Sequence, residues 1–270
     1  MRRSFPLGAA VLVLAALLTA RAVTPAAAAP VAEPVAPPAW TAQPARIVVI
    51  GDSVAGSAAD ALQSEAARRG VRLDVYARAG CGITSGIPVG TNSAGCVANN
   101  PAFFAAATAE PTSAVVVMSS WEVNNHIVGG KRLRFRSRKW DAWMSGQLDA
   151  VRRRFGGVPL LLTTVAPRAP VDGALSTTPA ETALALLYNE FLVDYAAARA
   201  DSTGVVDLVG ILCPTGAVAC PERIDGVRVR PDLGAHFDAE GGAWFAPRAL
   251  DAIEQAYEGV GAVLASPAGG

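Results

Sequence analysis

The chain has 270 residues, with 23 Lys and Arg against 23 Asp and Glu and only two histidines. A formal charge of zero provides no overall field for gathering nucleic acid. About 230 residues remain once the amino-terminal segment is set aside, enough for one α/β domain with a sizeable core.

Met1-Arg2-Arg3 and the apolar stretch from Phe5 to Ala20 predict an export signal over residues 1–28, with Ala26 to Ala29 offering small residues for cleavage. Its apolar core is shorter than a comfortable membrane span and Arg21 ends it. An uncleaved membrane anchor is the alternative, and either outcome places the domain outside the cytoplasm. Residues 29–44 are rich in Pro and Ala and read as an extended linker. The folded domain is expected over residues 45–262, followed by a flexible tail at 263–270.

Within the domain, apolar runs alternate with helical ones. Strands are predicted at Arg46–Ile50, Val71–Tyr76, Ala114–Met118, Val158–Thr164 and Gly204–Leu208. Helices are predicted at Val54–Arg69, Pro101–Ala109, Trp140–Phe155, Thr178–Ala200 and Ala239–Gly259. Residues 78–100, 119–139 and 209–235 read as long loops, the second carrying a basic run from Lys131 to Lys139 taken as a solvated ribbon or loop edge. Right-handed crossovers then predict a three-layer, doubly wound α/β fold. Its five-stranded, mainly parallel sheet would run in flavodoxin-like order.

Gly51-Asp52-Ser53 lies between the first strand and the first helix. A doubly wound sheet places its ligands at that edge, and a helix amino terminus favours developing negative charge. A serine nucleophile needs a base, and His236 stands just before the last helix with Asp232 upstream of it. Ser53, His236 and Asp232 are therefore a candidate nucleophile, base and orienting carboxylate. His126, in the polar stretch Asn124-Asn125-His126, reads as an exposed loop residue, Asp238 as a helix cap and Asp225 as a turn residue. Four cysteines allow three pairings. The two close pairs, Cys81 with Cys96 and Cys213 with Cys220, are preferred because each would pin an irregular loop. Their spacing does not suit a metal, and no cofactor motif is present, so neither is expected.

These blocks resemble the SGNH (GDSL-like) hydrolases, and most of all the SGNH domains associated with acyltransferases of bacterial envelopes. Gly51-Asp52-Ser53 stands for the first block and Asp232-Leu233-Gly234-Ala235-His236 for the last, with one residue more than the usual Asp-x-x-His. The resemblance implies an oxyanion donor at Gly80 in Arg78-Ala79-Gly80-Cys81-Gly82, with Gly82 second in line. The usual Gly-x-Asn-Asp block is absent. Ser119-Ser120-Trp121-Glu122-Val123-Asn124-Asn125 occupies its place, with Asn124 as the shifted candidate for the family's asparagine. The resemblance further implies a serine esterase acting on small, acetyl-like esters of envelope or extracellular carbohydrate. O-acyl transfer to a glycan hydroxyl is the alternative, and a catalytically weakened glycan-binding module is the second. An acylated carbohydrate is the expected partner, and nucleic acid is not.

Overall fold

A computed structural model describes residues 46–89, 94–216 and 220–265. The export segment, the whole linker and the last five residues lie outside them.

Strands β1 (Ile47–Gly51), β2 (Leu73–Ala77), β4 (Ala114–Met118), β7 (Leu160–Thr163) and β8 (Thr203–Val206) form one parallel sheet in the order β2-β1-β4-β7-β8. This is the doubly wound order expected. Both faces are covered, so β1, β4 and β7 are buried throughout. Strand alternation divides them between two cores. Ile47, Val49, Val116 and Met118 face α1 (Ser53–Arg68) and α6 (Ala239–Ala265). Val48, Ile50, Val115 and Val117 face α2 (Ala94–Ala107), α3 (Arg138–Arg154) and α4 (Pro179–Ala197).

The helices form where their caps and apolar spacing agree. In α1 the buried residues are Ala55, Ala58, Leu62 and Ala66, one stripe at helical spacing. In α3 they are Trp140, Met144, Leu148 and Val151, behind a Ser137 cap. A capping box of Thr178 and Glu181 opens α4, with Pro179 in its first turn.

Several boundaries differ from the sequence-based expectation. The α2 helix starts at Ala94 inside an expected loop and carries Pro101 in its interior. Strand β8 stops at Val206, and Asp207 caps a short helix α5 (Leu208–Leu212) by accepting from the Gly210 amide at 3.0 Å. The α6 helix continues past Gly259 to Ala265, into the expected tail.

The expected irregular stretches at 78–100 and 119–139 together form a second, antiparallel sheet, with β3 (Ile87–Pro88) from the first and β5 (His126–Val128) and β6 (Lys131–Leu133) from the second. Gly129 and Gly130 make its hairpin turn, both with positive φ, as a two-residue turn matched to strand twist requires. Lys131 and Arg132 are exposed on this ribbon. The four cysteines form the two local disulfides, Cys81–Cys96 and Cys213–Cys220. No helix among the described residues is long and apolar enough to cross a membrane.

Candidate active site

The carboxyl ends of β1 and β4 meet where the strand order reverses, with β2 on one side and β7 on the other. Gly51 closes β1 there. A Cβ on it would stand 1.9 Å from the Met118 carbonyl oxygen, so only glycine lets the turn press against β4. Asp52 follows, fully buried, and divides its carboxylate. Oδ1 accepts from the Val54 amide at 2.9 Å and caps α1. Oδ2 accepts from the Ser120 amide at 2.6 Å and the Ser120 hydroxyl at 2.8 Å. Asp52 thus joins the first turn to the loop after β4, and Ser53 is left as the first residue of α1, half-buried.

From the far end of the chain, His236 reaches this point. Its Nε2 lies 2.9 Å from the Ser53 hydroxyl, and its Nδ1 lies 2.6 Å from Asp232 Oδ2. The structure therefore brings the three candidate residues into one hydrogen-bonded line. The extra residue between Asp232 and His236 is absorbed by two left-handed residues, Leu233 with φ 53° and Gly234 with φ 64°. The amides of Ala235 and His236 both donate to the Asp232 carbonyl at 3.0 Å and close the loop. Gly234 rests on Ala169, whose amide donates to the Gly234 carbonyl at 2.8 Å. The Phe237 amide donates to Ser57 of α1 at 3.1 Å, which ties the histidine to the helix carrying the serine. Asp238 accepts from the Gly241 amide at 2.8 Å at the start of α6, and Asp225 sits at a turn with φ 52°.

The loop after β2 is built around the partly buried Arg78 and the buried Glu122. Arg78 donates to the Cys96 carbonyl at 2.9 Å, to the Gly82 carbonyl and to Asn100, and its guanidinium lies 4.2 Å from the Phe103 ring centre. Glu122 is fully buried. Its carboxylate accepts from the Ile83 amide at 2.7 Å and from the Ser119 hydroxyl at 2.5 Å. Burial pushes the Glu122 carboxyl above its ordinary pKa. Gly82 is explained by this contact, because a Cβ there would stand 2.4 Å from Glu122 Oε1. Gly80 has φ 71°, with open space where its Cβ would be. The Asn124 side chain donates to the Trp121 carbonyl at 3.0 Å and reaches no residue of the serine–histidine line.

Sequence reading missed Asp52 and Glu122 as structural anchors. Each acts on a residue that is distant in the chain, so spacing carries no signal of it. His126 departs from its expected exposed position. It is fully buried against Trp143, with ring centres 4.8 Å apart, and its Nδ1 bonds the Asn124 carbonyl at 2.9 Å. Burial pulls its pKa down to about 4. The folded state thus holds the neutral ring, whereas the unfolded chain binds a proton near the ordinary value of about 6.5. Stability from this group is present above that value and is lost as pH falls through about 4. The loss between those limits is on the order of 3 kcal/mol. Denaturant titrations from pH 7 to pH 4 should show this drop in wild type and a smaller one in His126→Phe; equal drops would place the acid sensitivity elsewhere.

The profile of the SGNH domain (fused to AT3 domains) matches residues 25–230, and the chain belongs to this family. The match stops just before Asp232, so the last block rests on the geometry above. Among solved structures, the periplasmic domain of the Salmonella ser. Paratyphi A lipopolysaccharide acetyltransferase is 12% identical. The alignment covers 77% of this chain and 83% of that one, with a TM-score of 0.50. A GDSL-like lipase from Bacteroides thetaiotaomicron is 15% identical over 78% of this chain and 89% of that one, with a TM-score of 0.48. No curated protein matches the chain.

Proposed function

We propose that this protein is an extracytoplasmic serine esterase of the SGNH family that hydrolyses small acyl esters, acetyl among them, on carbohydrate. The observation that supports it most is the continuous line from Ser53 through His236 to Asp232. With its Nδ1 proton donated to Asp232, the imidazole presents a bare Nε2 to the serine hydroxyl. His236 takes the proton as Ser53 Oγ bonds to the ester carbonyl carbon. It then returns that proton to the departing alcohol as the ester C–O bond breaks. Water repeats the sequence, leaving the acid and the free serine. The Ser53 and Gly80 amides are the proposed oxyanion donors, and the positive dipole end of α1 adds to them. Asn124 would have to leave the Trp121 carbonyl to serve as a third. The two disulfides and the amino-terminal export signature support an oxidising, extracytoplasmic location.

One observation favours O-acyl transfer as a second reading. The matching family is described by its fusion to AT3 domains, and one solved relative is the periplasmic part of an acetyltransferase. A sugar hydroxyl would then take the place of water at the same acyl-serine.

A fluorophosphonate reports the nucleophile directly, since it bonds to an activated serine and not to a helix cap. Mass spectrometry of the digested protein is expected to find the adduct on Ser53, and prior reaction with an aryl acetate should slow labelling. A protein left unlabelled at Ser53 would favour a binding module over either enzyme.

A further inference from the structure

Beside the serine lies a small cavity of about 50 Å³. Its wall includes Val54, which follows Ser53, and Ala235 and Phe237, which flank His236. Met118, Thr163, Leu212 and Arg230 also line it. Arg230 is 4% exposed, and its Nη2 has no hydrogen-bond partner. Among the described residues no carboxylate pairs with it.

A buried cation without a counter-charge is costly and calls for a compensating anion. The other buried arginine, Arg46, shows how the protein satisfies such a charge: it has Asp74 at 2.6 Å and the Glu110 carbonyl at 2.9 Å. Burial also drags the Arg230 pKa down to about 10, which leaves the guanidinium charged at neutral pH.

We infer that Arg230 receives a carboxylate at the far end of the acyl group, so that the preferred ester is the half-ester of a short dicarboxylic acid, such as a succinyl ester. This rests on the esterase reading above and extends it from small acyl groups to anionic ones. Size decides which half of the substrate carries the charge. A cavity of this volume holds about four water-sized spheres, enough for one or two methylenes and a carboxylate but too little for a sugar ring. Guanidinium and carboxylate match in a two-pronged hydrogen-bonded pair, which lysine cannot reproduce.

The test compares 4-methylumbelliferyl hemisuccinate with the butyrate of the same leaving group. Wild type is expected to prefer the hemisuccinate in kcat/KM. That preference should fall about 30-fold or more in Arg230→Met and less in Arg230→Lys. Taking the ratio within each variant removes any loss of folded protein. A ratio unchanged by Arg230→Met overturns the inference. So does a result in which Arg230→Met instead lowers hydrolysis of 4-acetoxybenzoate relative to phenyl acetate, because the charge would then sit on the alcohol half.

A binding arm separates this proposal from the esterase reading. Calorimetry on Ser53→Ala protein is expected to show saturable binding of monomethyl succinate. Methyl butyrate should not bind, and binding should be lost in the Ser53→Ala, Arg230→Met double variant. Binding without turnover by wild type would leave the Arg230 site standing and sink the esterase. Turnover of neutral esters with neither binding nor preference for the anion would sink the Arg230 site alone.

Discussion

Ser53→Ala and His236→Ala are each expected to lower kcat on a short aryl ester by at least about 10⁴-fold, because nucleophile and base act as one unit. Asp232→Asn should cost less, leaving turnover about 10²-fold above the other two variants. Its carboxylate bonds His236 Nδ1 at 2.6 Å, but its side chain is 68% exposed, so water can take over part of its role in orienting the ring and stabilising the imidazolium. Steady-state kinetics on the three variants, with circular dichroism to confirm folding, give the ranking. Ser53→Ala with near wild-type turnover would remove the nucleophile assignment. Asp232→Asn with wild-type turnover would move the orienting role to another group, with Asp225 the next carboxylate in the same segment.

Gly234→Ala is expected to damage both stability and turnover. Gly234 has φ 64°, where a Cβ costs about 1–2 kcal/mol. That Cβ would also stand 1.9 Å from the Ala169 carbonyl oxygen, a backbone atom with no rotamer to give way. Together these suggest a loss on the order of 3 kcal/mol, visible as a lower Tm. The loop holding Asp232 and His236 must shift to relieve the clash, so kcat should fall even well below the Tm. Leu233 is the natural control. It has φ 53° and is 57% exposed, so Leu233→Gly relaxes the backbone without removing a packed side chain. Leu233→Gly should keep activity; Gly234→Ala with unaltered Tm and turnover would mean that the loop is not set by its contact with Ala169.

The layered fold was legible in the chain because its signal is local. Ile47 to Ile50 and Ala114 to Met118 are short apolar runs, as buried parallel strands must be, and helical stretches separate them. Ser53, His236 and Asp232 were legible as candidates because each stands at a recognisable element boundary. The short pieces were not legible. Strands β5 and β6 have three residues each, too few to show alternation, and only the glycine pair at 129–130 marked their turn.

What the sequence by itself determined is the five strands of the main sheet and the long helices between them, their order, and which residue types stand at the sheet's carboxyl edge. Tertiary structure alone decided how that edge is assembled. Asp52 grips Ser120 across 68 positions and Glu122 holds Ile83 across 39, contacts that no local pattern encodes. It also decided that a loop one residue too long can still close, through Leu233 and Gly234, and that His126 lies inside. Arg230 shows the same division most clearly. In sequence it is one arginine among many in a charged stretch. Only the packing of β4, β7 and α5 around a small cavity makes it a buried charge beside the serine, because burial and the absence of a partner are properties of neighbours brought together in space.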